Sequence, residues 1–182
     1  MPADHVNIGA VVYPEGAGEG ADDILRLVAE RLSKDGLRLA GAIQRNTENP
    51  QYCRCDMTLE DLASGRLVEI SEDLGPGSTG CRLDARALEE IVGLVCGSLD
   101  VGADLLIVNK FGKREAQGAG FRAAIEAALS RNVPILVAVN SGNLEAWNEF
   151  AGELDARLPL DAEAIVRWAS HPAPRDEALA SH

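Results

Sequence analysis

The 182-residue sequence predicts a three-layer α/β sandwich with a mainly parallel sheet and one inserted β-hairpin. Short continuous apolar runs, typical of strands buried on both faces, alternate with longer segments whose apolar residues recur at helical spacing. The turn signal Ser64-Gly65 joins two further strand-like segments as the hairpin. We expect residues 1–170 to form a single domain and residues 171–182, which have no apolar period, to form a disordered tail.

The chain begins with a predicted strand, a glycine-rich loop and a helix. Residues 7–13 form the strand, and residues 14–20 form the loop. Asp22 or Asp23 is expected to cap the helix and Gly36 to end it. This order of elements is typical of a phosphate-binding unit.

The second strand is predicted over residues 37–44 and ends in Gln44. The polar stretch 46–52 that follows is expected to be a loop. The later elements are a hairpin (53–62 and 66–71), a second glycine-rich loop (75–81), a helix capped by Asp84, a buried strand (105–108), an amphipathic helix from Phe121 to Leu129, a strand (134–139), and two helices capped by Asn143 and Asp161.

The polar residues that follow the buried strand at 105–108 are the first candidate site. In an open α/β sheet, ligands bind at the carboxyl ends of the strands, where the following loops form a crevice. We expect the ammonium groups of Lys110 and Lys113 to bind a small anion there. Asn109 and Gln44 are the other candidate ligand-binding residues. An ordinary solvated loop is the alternative interpretation.

The second glycine-rich loop is another candidate anion site. It places Ser78 and Thr79 just before a helix begins, with Arg82 beside them. Unhindered backbone N–H groups and hydroxyls at a helix N-terminus suit an anion. A common capped loop is the alternative.

Three cysteines form a separate candidate site. Cys53 and Cys55 lie on the same side of a predicted strand, and Cys81 could approach from the neighbouring loop. Three thiols could hold a soft metal ion or form a disulfide reversibly. Their spacing matches no standard zinc site, so free structural thiols are the alternative.

Composition excludes several classes of function. The formal net charge of -12 argues against nucleic acid or an anionic membrane as a partner. The histidines, His5, His171 and His182, all lie near the ends of the chain. Ser-His and Cys-His mechanisms and the HExxH zinc site are therefore not expected. The first residues resemble neither a signal peptide nor a membrane span, so we expect a cytoplasmic protein.

The first glycine-rich loop invites comparison with the phosphate-binding pattern G-x-x-x-x-G-K-[ST]. With Gly20 aligned to the second glycine, Ala21 takes the place of the lysine and Asp22 that of the hydroxyl. Glu15 and Glu19 add negative charge where a triphosphate would lie. Repulsion of this kind disfavours ordinary nucleoside-triphosphate binding at this loop.

Three segments resemble a bacterial family of unknown function that is often encoded near molybdate-transport or nitrogenase genes. They are CRCDM (53–57), GCRLD (80–84) and VNKFGK (108–113), the last followed by Glu115-Ala116, and the resemblance runs from about residue 8 to residue 168. More distantly, the chain is similar to THEP-type nucleoside triphosphatases, whose central strand ends in D-E-[IF]-G-x-x-E. Asn109 and Lys110 replace the two acidic residues of that pattern that handle magnesium and water. The resemblance implies a P-loop-NTPase-like fold with a degenerate phosphate loop that has lost hydrolysis.

We expect a non-hydrolytic small-anion-binding or nucleotide-binding protein, or an adaptor. The resemblance implies molybdate or another oxyanion as its ligand and another protein of molybdenum metabolism as its partner. The sequence leaves open whether the protein forms an oligomer. One alternative is a divergent nucleoside triphosphatase in which Lys110 replaces the loop lysine and Glu115 orients water. A thiol-based metal-binding or redox protein that uses the three cysteines is the other.

Overall fold

The computed structural model describes residues 7–49, 54–72, 82–152 and 154–170, with the backbone alone for 46–49, 54–56, 72 and 82. The strands in chain order are β1 (Ile8–Tyr13), β2 (Leu39–Asn49), β3 (Arg54–Asp61), β4 (Leu67–Glu69), β5 (Ser71–Glu72), β6 (Arg82–Leu83), β7 (Leu105–Phe111), β8 (Ile135–Asn140) and β9 (Asp155–Leu158). The helices are α1 (Gly18–Lys34), α2 (Ala85–Val101), α3 (Lys113–Ala116), α4 (Arg122–Ser130), α5 (Leu144–Ala151) and α6 (Ala162–Ser170), with a 3-10 helix at Ser141–Asn143.

Within this described part, a mostly parallel sheet of seven strands runs in the order β4-β3-β2-β7-β8-β1-β9. The strands from β2 to β9 in that order are parallel to their neighbours, whereas β3 and β4 pair antiparallel at one edge. β5 and β6 form a separate antiparallel pair. The predicted α/β architecture with an antiparallel hairpin is therefore confirmed.

Helices cover both faces of the sheet and create two apolar cores. Leu105 and Ile107 of β7 pack into the core beneath α1 and α6. Leu106 and Val108 pack into the core beneath α2, α4 and α5. Because side chains alternate along a strand, one apolar run supplies both cores.

The alternation breaks at the carboxyl end of β7. The register against β8 shifts between Val108 and Phe111, and both of these residues belong to the same core. Asn109 and Lys110 lie between them, and Lys110 has a φ of 149°. A bulge of this kind re-aims side chains and is common next to functional sites. Here it lets Asn109 and Lys110 both face α1.

Two predicted segments differ from the structure. β2 does not end at Gln44 but continues to Asn49, because the second half of the strand pairs antiparallel with β3. The predicted loop at 46–52 is therefore wrong over residues 46–49. The short strand β9, which pairs with β1, was not predicted, because its exposed sequence lacks an apolar run.

The predicted helix caps have mixed outcomes. Asp84 caps α2 by accepting hydrogen bonds from the N–H groups of Arg86 and Ala87, as predicted. The prediction for α1 is wrong: this helix begins at Gly18, so Asp22 lies inside it. Asn143 stands at the N-cap position of α5 as predicted, but its side chain makes no capping hydrogen bond; Asn140 caps the preceding 3-10 helix by accepting a hydrogen bond from Gly142 N. The predicted tail at 171–182 lies outside the described residues.

Candidate functional site

The strand order places a topological switch point between the carboxyl ends of β1 and β8. The connection after β1 leads to α1 on one face of the sheet, whereas the connection after β8 leads to α5 on the opposite face. Loops that diverge from neighbouring parallel strands leave a crevice, which is where open α/β sheets bind ligands. Tyr13 and Asn140 are the last residues of these two strands and are paired in register.

The Lys110 side chain extends from the bulge of β7 toward the start of α1. Its Nζ lies 3.4 Å from Asp22 Oδ1 and donates a hydrogen bond to Gln44 Oε1 at 3.4 Å. A Cβ placed on Gly18 would lie 3.6 Å from the same Nζ atom, so the ammonium group is beside the first residue of α1. The Lys110 side chain is 31% exposed, so solvent and solutes can reach it.

Asp22 is buried beneath this ammonium group. The residue is 3% exposed, and neither of its carboxylate oxygens has a hydrogen-bond partner within the described structure. The 3.4 Å ion pair with Lys110 is longer than a charge-assisted hydrogen bond, which is about 2.7–2.9 Å. Burial raises the pKa of Asp22, and the nearby Lys110 and Asn109 oppose that shift without cancelling it.

Asn109 is a second buried polar group without hydrogen bonds. It is 6% exposed, and neither Oδ1 nor Nδ2 finds a partner among the described residues. Buried polar atoms are paired in the great majority of proteins, and exceptions point to strain, function or an additional bound group. Asp22, Asn109 and Lys110 together form the polar cluster that we call the Asp22 cluster.

The first turn of α1 adds backbone donors beside this cluster. Ala17 precedes the helix and provides no side-chain cap. The first N–H groups of a helix have no partner within the helix, and its N-terminus carries a partial positive charge. An anion held by these N–H groups would also contact the Lys110 ammonium group, which lies beside Gly18.

Tyr13 and Glu15 complete the surroundings of the crevice. Tyr13 is 2% exposed, and burial and the negative charge of Asp22 raise its pKa, while the Asn140 side chain opposes the shift. Glu15 reaches from the loop after β1 to Gly142, where an added Cβ would lie 2.7 Å from Glu15 Oε1. The loops after β1 and β8 therefore touch at the mouth of the crevice.

Glu115, in contrast, is fully engaged in holding its own loop. Its Oε2 accepts a hydrogen bond from Gly112 N at 3.1 Å, and its Oε1 accepts one from Phe121 N at 3.2 Å. The two bonds close the segment between β7 and α4 around the short helix α3. This carboxylate has a structural role in the described protein.

The structure brings part of the predicted site together. Lys110, Gln44 and Asn109 lie near one another at the carboxyl edge of the sheet. Lys113 is exposed at the start of α3, and its carbonyl accepts a hydrogen bond from Gln117 N, but it does not join the group around Lys110. Asp22 and Tyr13 were not predicted as site residues, because nothing in the sequence shows that their side chains face the bulge of β7.

The other predicted sites are not visible in the structure. Ser78, Thr79, Cys53 and Cys81 lie outside the described residues, and Cys55 and Arg82 are described by their backbone alone. Among the residues that are described, no group of three or more histidine, cysteine or acidic side chains could hold a metal ion. The second anion site and the thiol site remain predictions.

Comparisons with known proteins bear on the resemblance to a family of unknown function, whereas the gene neighbourhood and the similarity to THEP-type nucleoside triphosphatases stay predictions. Residues 8–168 match a family described as "Protein of unknown function (DUF2478)". A curated relative, "Molybdenum import ATP-binding protein ModC 2" of Bradyrhizobium diazoefficiens, is 33% identical over an alignment of 174 residues that covers 92% of this chain and 19% of that protein. The chain thus spans about a fifth of the length of this relative. No solved structure matches the chain significantly.

In the described part of the chain, no helix is long and apolar enough to cross a membrane.

Proposed function

The chain belongs to the DUF2478 family, and we propose that it is a non-hydrolytic binding or adaptor protein for a small anion or a nucleotide, on a P-loop-like scaffold. The observation that carries this proposal is the position of the Lys110 ammonium group, 3.4 Å from Asp22 Oδ1 and beside the N-terminus of α1. A fixed cation and free helix N–H groups then act on the same ligand.

The arrangement also favours binding without magnesium. In a P-loop, the hydroxyl that follows the lysine holds the metal ion. Asp22 takes the place of that hydroxyl in the alignment with Gly20, and the Lys110 ammonium group lies against it. We infer that a lysine stands where a divalent cation would lie, so that the protein supplies its own counter-charge to the ligand.

Hydrolysis is disfavoured by the same residues. Asn109 stands in place of an acidic residue, and its amide cannot act as a base. The alternative nucleoside triphosphatase would need Glu115 to orient a water molecule, but both carboxylate oxygens of Glu115 accept backbone hydrogen bonds. Phosphoryl transfer requires several positive charges positioned around the transferred group. The Asp22 cluster provides one lysine, and the buried carboxylate beside it offsets part of that charge.

The link to molybdenum rests on the relative. That protein is named for molybdenum import and for ATP binding. For this chain we propose molybdate or a nucleotide as the ligand and an ATP-binding protein of molybdenum import as the partner. The Lys110 ammonium group can donate a hydrogen bond to an oxygen of a tetrahedral oxyanion as well as to an oxygen of a terminal phosphate.

Titration calorimetry with molybdate, sulfate, phosphate and ATP, each with and without magnesium, tests the proposal. Lys110→Ala should weaken binding by about ten- to a hundredfold, because one charge-assisted contact is lost. Lys34→Ala is the matched control, since this exposed lysine lies at the opposite end of α1 and should leave binding unchanged. Removal of magnesium should not weaken binding.

Two results would contradict the proposal. If no anion binds more tightly than millimolar, or if Lys110→Ala binds as well as the wild type, the site is not an anion site. Release of phosphate from ATP at a rate comparable to P-loop enzymes, abolished by Lys110→Ala, would favour the nucleoside triphosphatase instead.

A further inference from the structure

The buried carboxylate of Asp22 has an unusual environment for an ionised group. Its side chain is 4% exposed, and neither oxygen accepts a hydrogen bond within the described structure. Buried carboxylates are ordinarily paired or hydrogen-bonded, because desolvation strongly disfavours an isolated charge. Glu115 shows that this protein can satisfy a buried carboxylate with backbone N–H groups. Asp22 is left without such groups.

Few groups act on Asp22, and one of them is positive. The titratable or charged groups that face it come from β7, β1 and its own helix: Lys110, Tyr13 and Asp23. The uncharged Asn109 lies beside it on β7. The ion pair that joins α1 to α6, Arg31 with Glu163, lies about 14 Å farther along the helix. Lys110 is therefore the cation that acts on the charge of Asp22.

An anion bound to Lys110 changes this balance. The anion would share the ammonium group with Asp22, which lies 3.4 Å from Nζ on the protein side. Two negative charges within a few ångströms of each other, in a partly desolvated place, repel strongly. The repulsion disappears if a proton lies between them, because the protonated oxygen then donates a hydrogen bond to the other.

From this geometry we propose that Asp22 selects between anions according to whether the anion itself carries a proton. This inference rests on the proposed function. An anion that carries a proton, such as hydrogen phosphate, donates it in a hydrogen bond to the Asp22 carboxylate, which is uncovered when the partly exposed Lys110 side chain turns outward with the anion. A fully ionised tetraoxoanion, such as molybdate or sulfate, binds only when Asp22 takes up one proton from solvent and donates the hydrogen bond itself. No covalent bond to the anion forms or breaks in either case.

Burial already prepares Asp22 for this role. The raised pKa of its carboxyl brings protonation closer to neutral pH than for an exposed aspartate. Exposed Asp23, the next residue of α1, pairs with Arg26 instead. The two aspartates thus differ in environment while they share a helix and a charge, so they form a matched pair for experiment.

The test is titration calorimetry of the full chain with sulfate, molybdate and phosphate, in several buffers of different ionisation enthalpy at neutral and mildly alkaline pH. The dependence of the heat on the buffer gives the number of protons taken up. For wild type we expect about one proton with sulfate or molybdate and an affinity that falls about tenfold per pH unit at alkaline pH. With phosphate at mildly alkaline pH, where hydrogen phosphate is the main species in solution, proton uptake should be near zero.

Asp22→Asn should abolish proton uptake and the pH dependence with sulfate and molybdate, because an amide donates a hydrogen bond without a proton from solvent. It should also remove the preference for phosphate at alkaline pH. Asp23→Asn removes the same charge from the same helix and should behave as wild type. The wild-type measurement stands by itself if Asp22→Asn fails to fold.

The outcomes separate this inference from the proposed function. Binding of sulfate or molybdate to wild type without proton uptake overturns the role of Asp22 and leaves the anion site in place. An Asp22→Asn variant that keeps the wild-type proton uptake overturns it equally. Absence of binding by all three anions, and by ATP in the titration above, overturns both.

Discussion

Two strand–loop–helix units of this protein each bury one carboxylate, and the two carboxylates are treated differently. Glu115, after β7, is 6% exposed and accepts backbone hydrogen bonds at both oxygens. Asp22, after β1, is 3% exposed and accepts none within the described structure. Burial alone does not separate a structural acid from a functional one. The hydrogen bonds around each acid make the distinction.

The difference follows from how each loop is built. After β7, the chain turns around Glu115 and returns at Gly120, whose φ is 59°. Its N–H groups therefore point inward at the carboxylate. After β1, α1 begins almost at once at Gly18, and Asp22 faces the sheet from inside the helix, where the backbone N–H groups are directed along the helix axis. The donors of that unit face the crevice instead of the acid.

The largest expected effect is on the Glu115 side of the comparison. Glu115→Ala leaves the N–H groups of Gly112 and Phe121 without their acceptor. We expect the free energy of unfolding to fall by about 3 kcal/mol and the melting temperature by roughly 6–12 °C, with anion affinity unchanged in the folded protein. Denaturant titration followed by calorimetry with sulfate measures both.

Gly120→Ala is a control that keeps the carboxylate. A Cβ at this position would lie 2.5 Å from Glu115 Oε1, in a backbone conformation that favours glycine, so it should also destabilise the protein. Gly20→Ala in α1 has open space around it and should not. If Glu115→Ala unfolds within about 0.5 kcal/mol of wild type, Glu115 is not structural and the comparison fails.

A smaller effect of different sign is expected for Asp22. Its pKa in the folded protein is raised above the ordinary value of 3.8, so the folded state holds this proton more tightly than the unfolded state. The stability linked to it is complete at pH values below that ordinary pKa and is lost as the pH rises through the raised pKa. At neutral pH, Asp22→Asn should therefore be at least as stable as wild type.

The measurement is the free energy of unfolding against pH for wild type and Asp22→Asn. The difference between the curves should grow in favour of the variant as the pH rises from acid to neutral. Asp23→Asn gives the effect of losing an exposed charge on the same helix. A variant less stable than wild type by more than 2 kcal/mol at neutral pH, the loss expected for a satisfied buried acid, would contradict the prediction.

Much of the fold is predictable from sequence, because buried strands and amphipathic helices leave a strong apolar pattern. β1, β7 and β8 are continuous apolar runs with one reasonable interpretation. The start of α1 is not predictable in this way, since Gly18 and Gly20 are poor helix formers and favour a loop. Tertiary packing of Ala21 and Leu25 in the core outweighs that preference.

The candidate site is predictable in part, because the carboxyl ends of parallel strands meet at one edge. This reasoning brings Lys110 and Gln44 together, as the structure does. A strict alternation of side chains would place Asn109 and Lys110 on opposite faces, and only the bulge in β7 places both toward α1. Asp22 was predicted as a helix cap for a different reason: the sequence does not show that α1 begins at Gly18 or how this helix lies on the sheet.

The most direct test of the anion site is a crystal structure of the protein soaked with molybdate, because molybdenum can be located by its anomalous scattering. We predict a peak beside the N-terminus of α1, about 4 Å from Lys110 Nζ, as expected when the ammonium group donates a charge-assisted hydrogen bond of about 2.8 Å to one oxygen of the anion. The peak should be absent in Lys110→Ala crystals. No peak beside Lys110 while molybdate binds elsewhere, such as at Ser78 and Thr79, or the same peak in the Lys110→Ala variant, would contradict the proposed site.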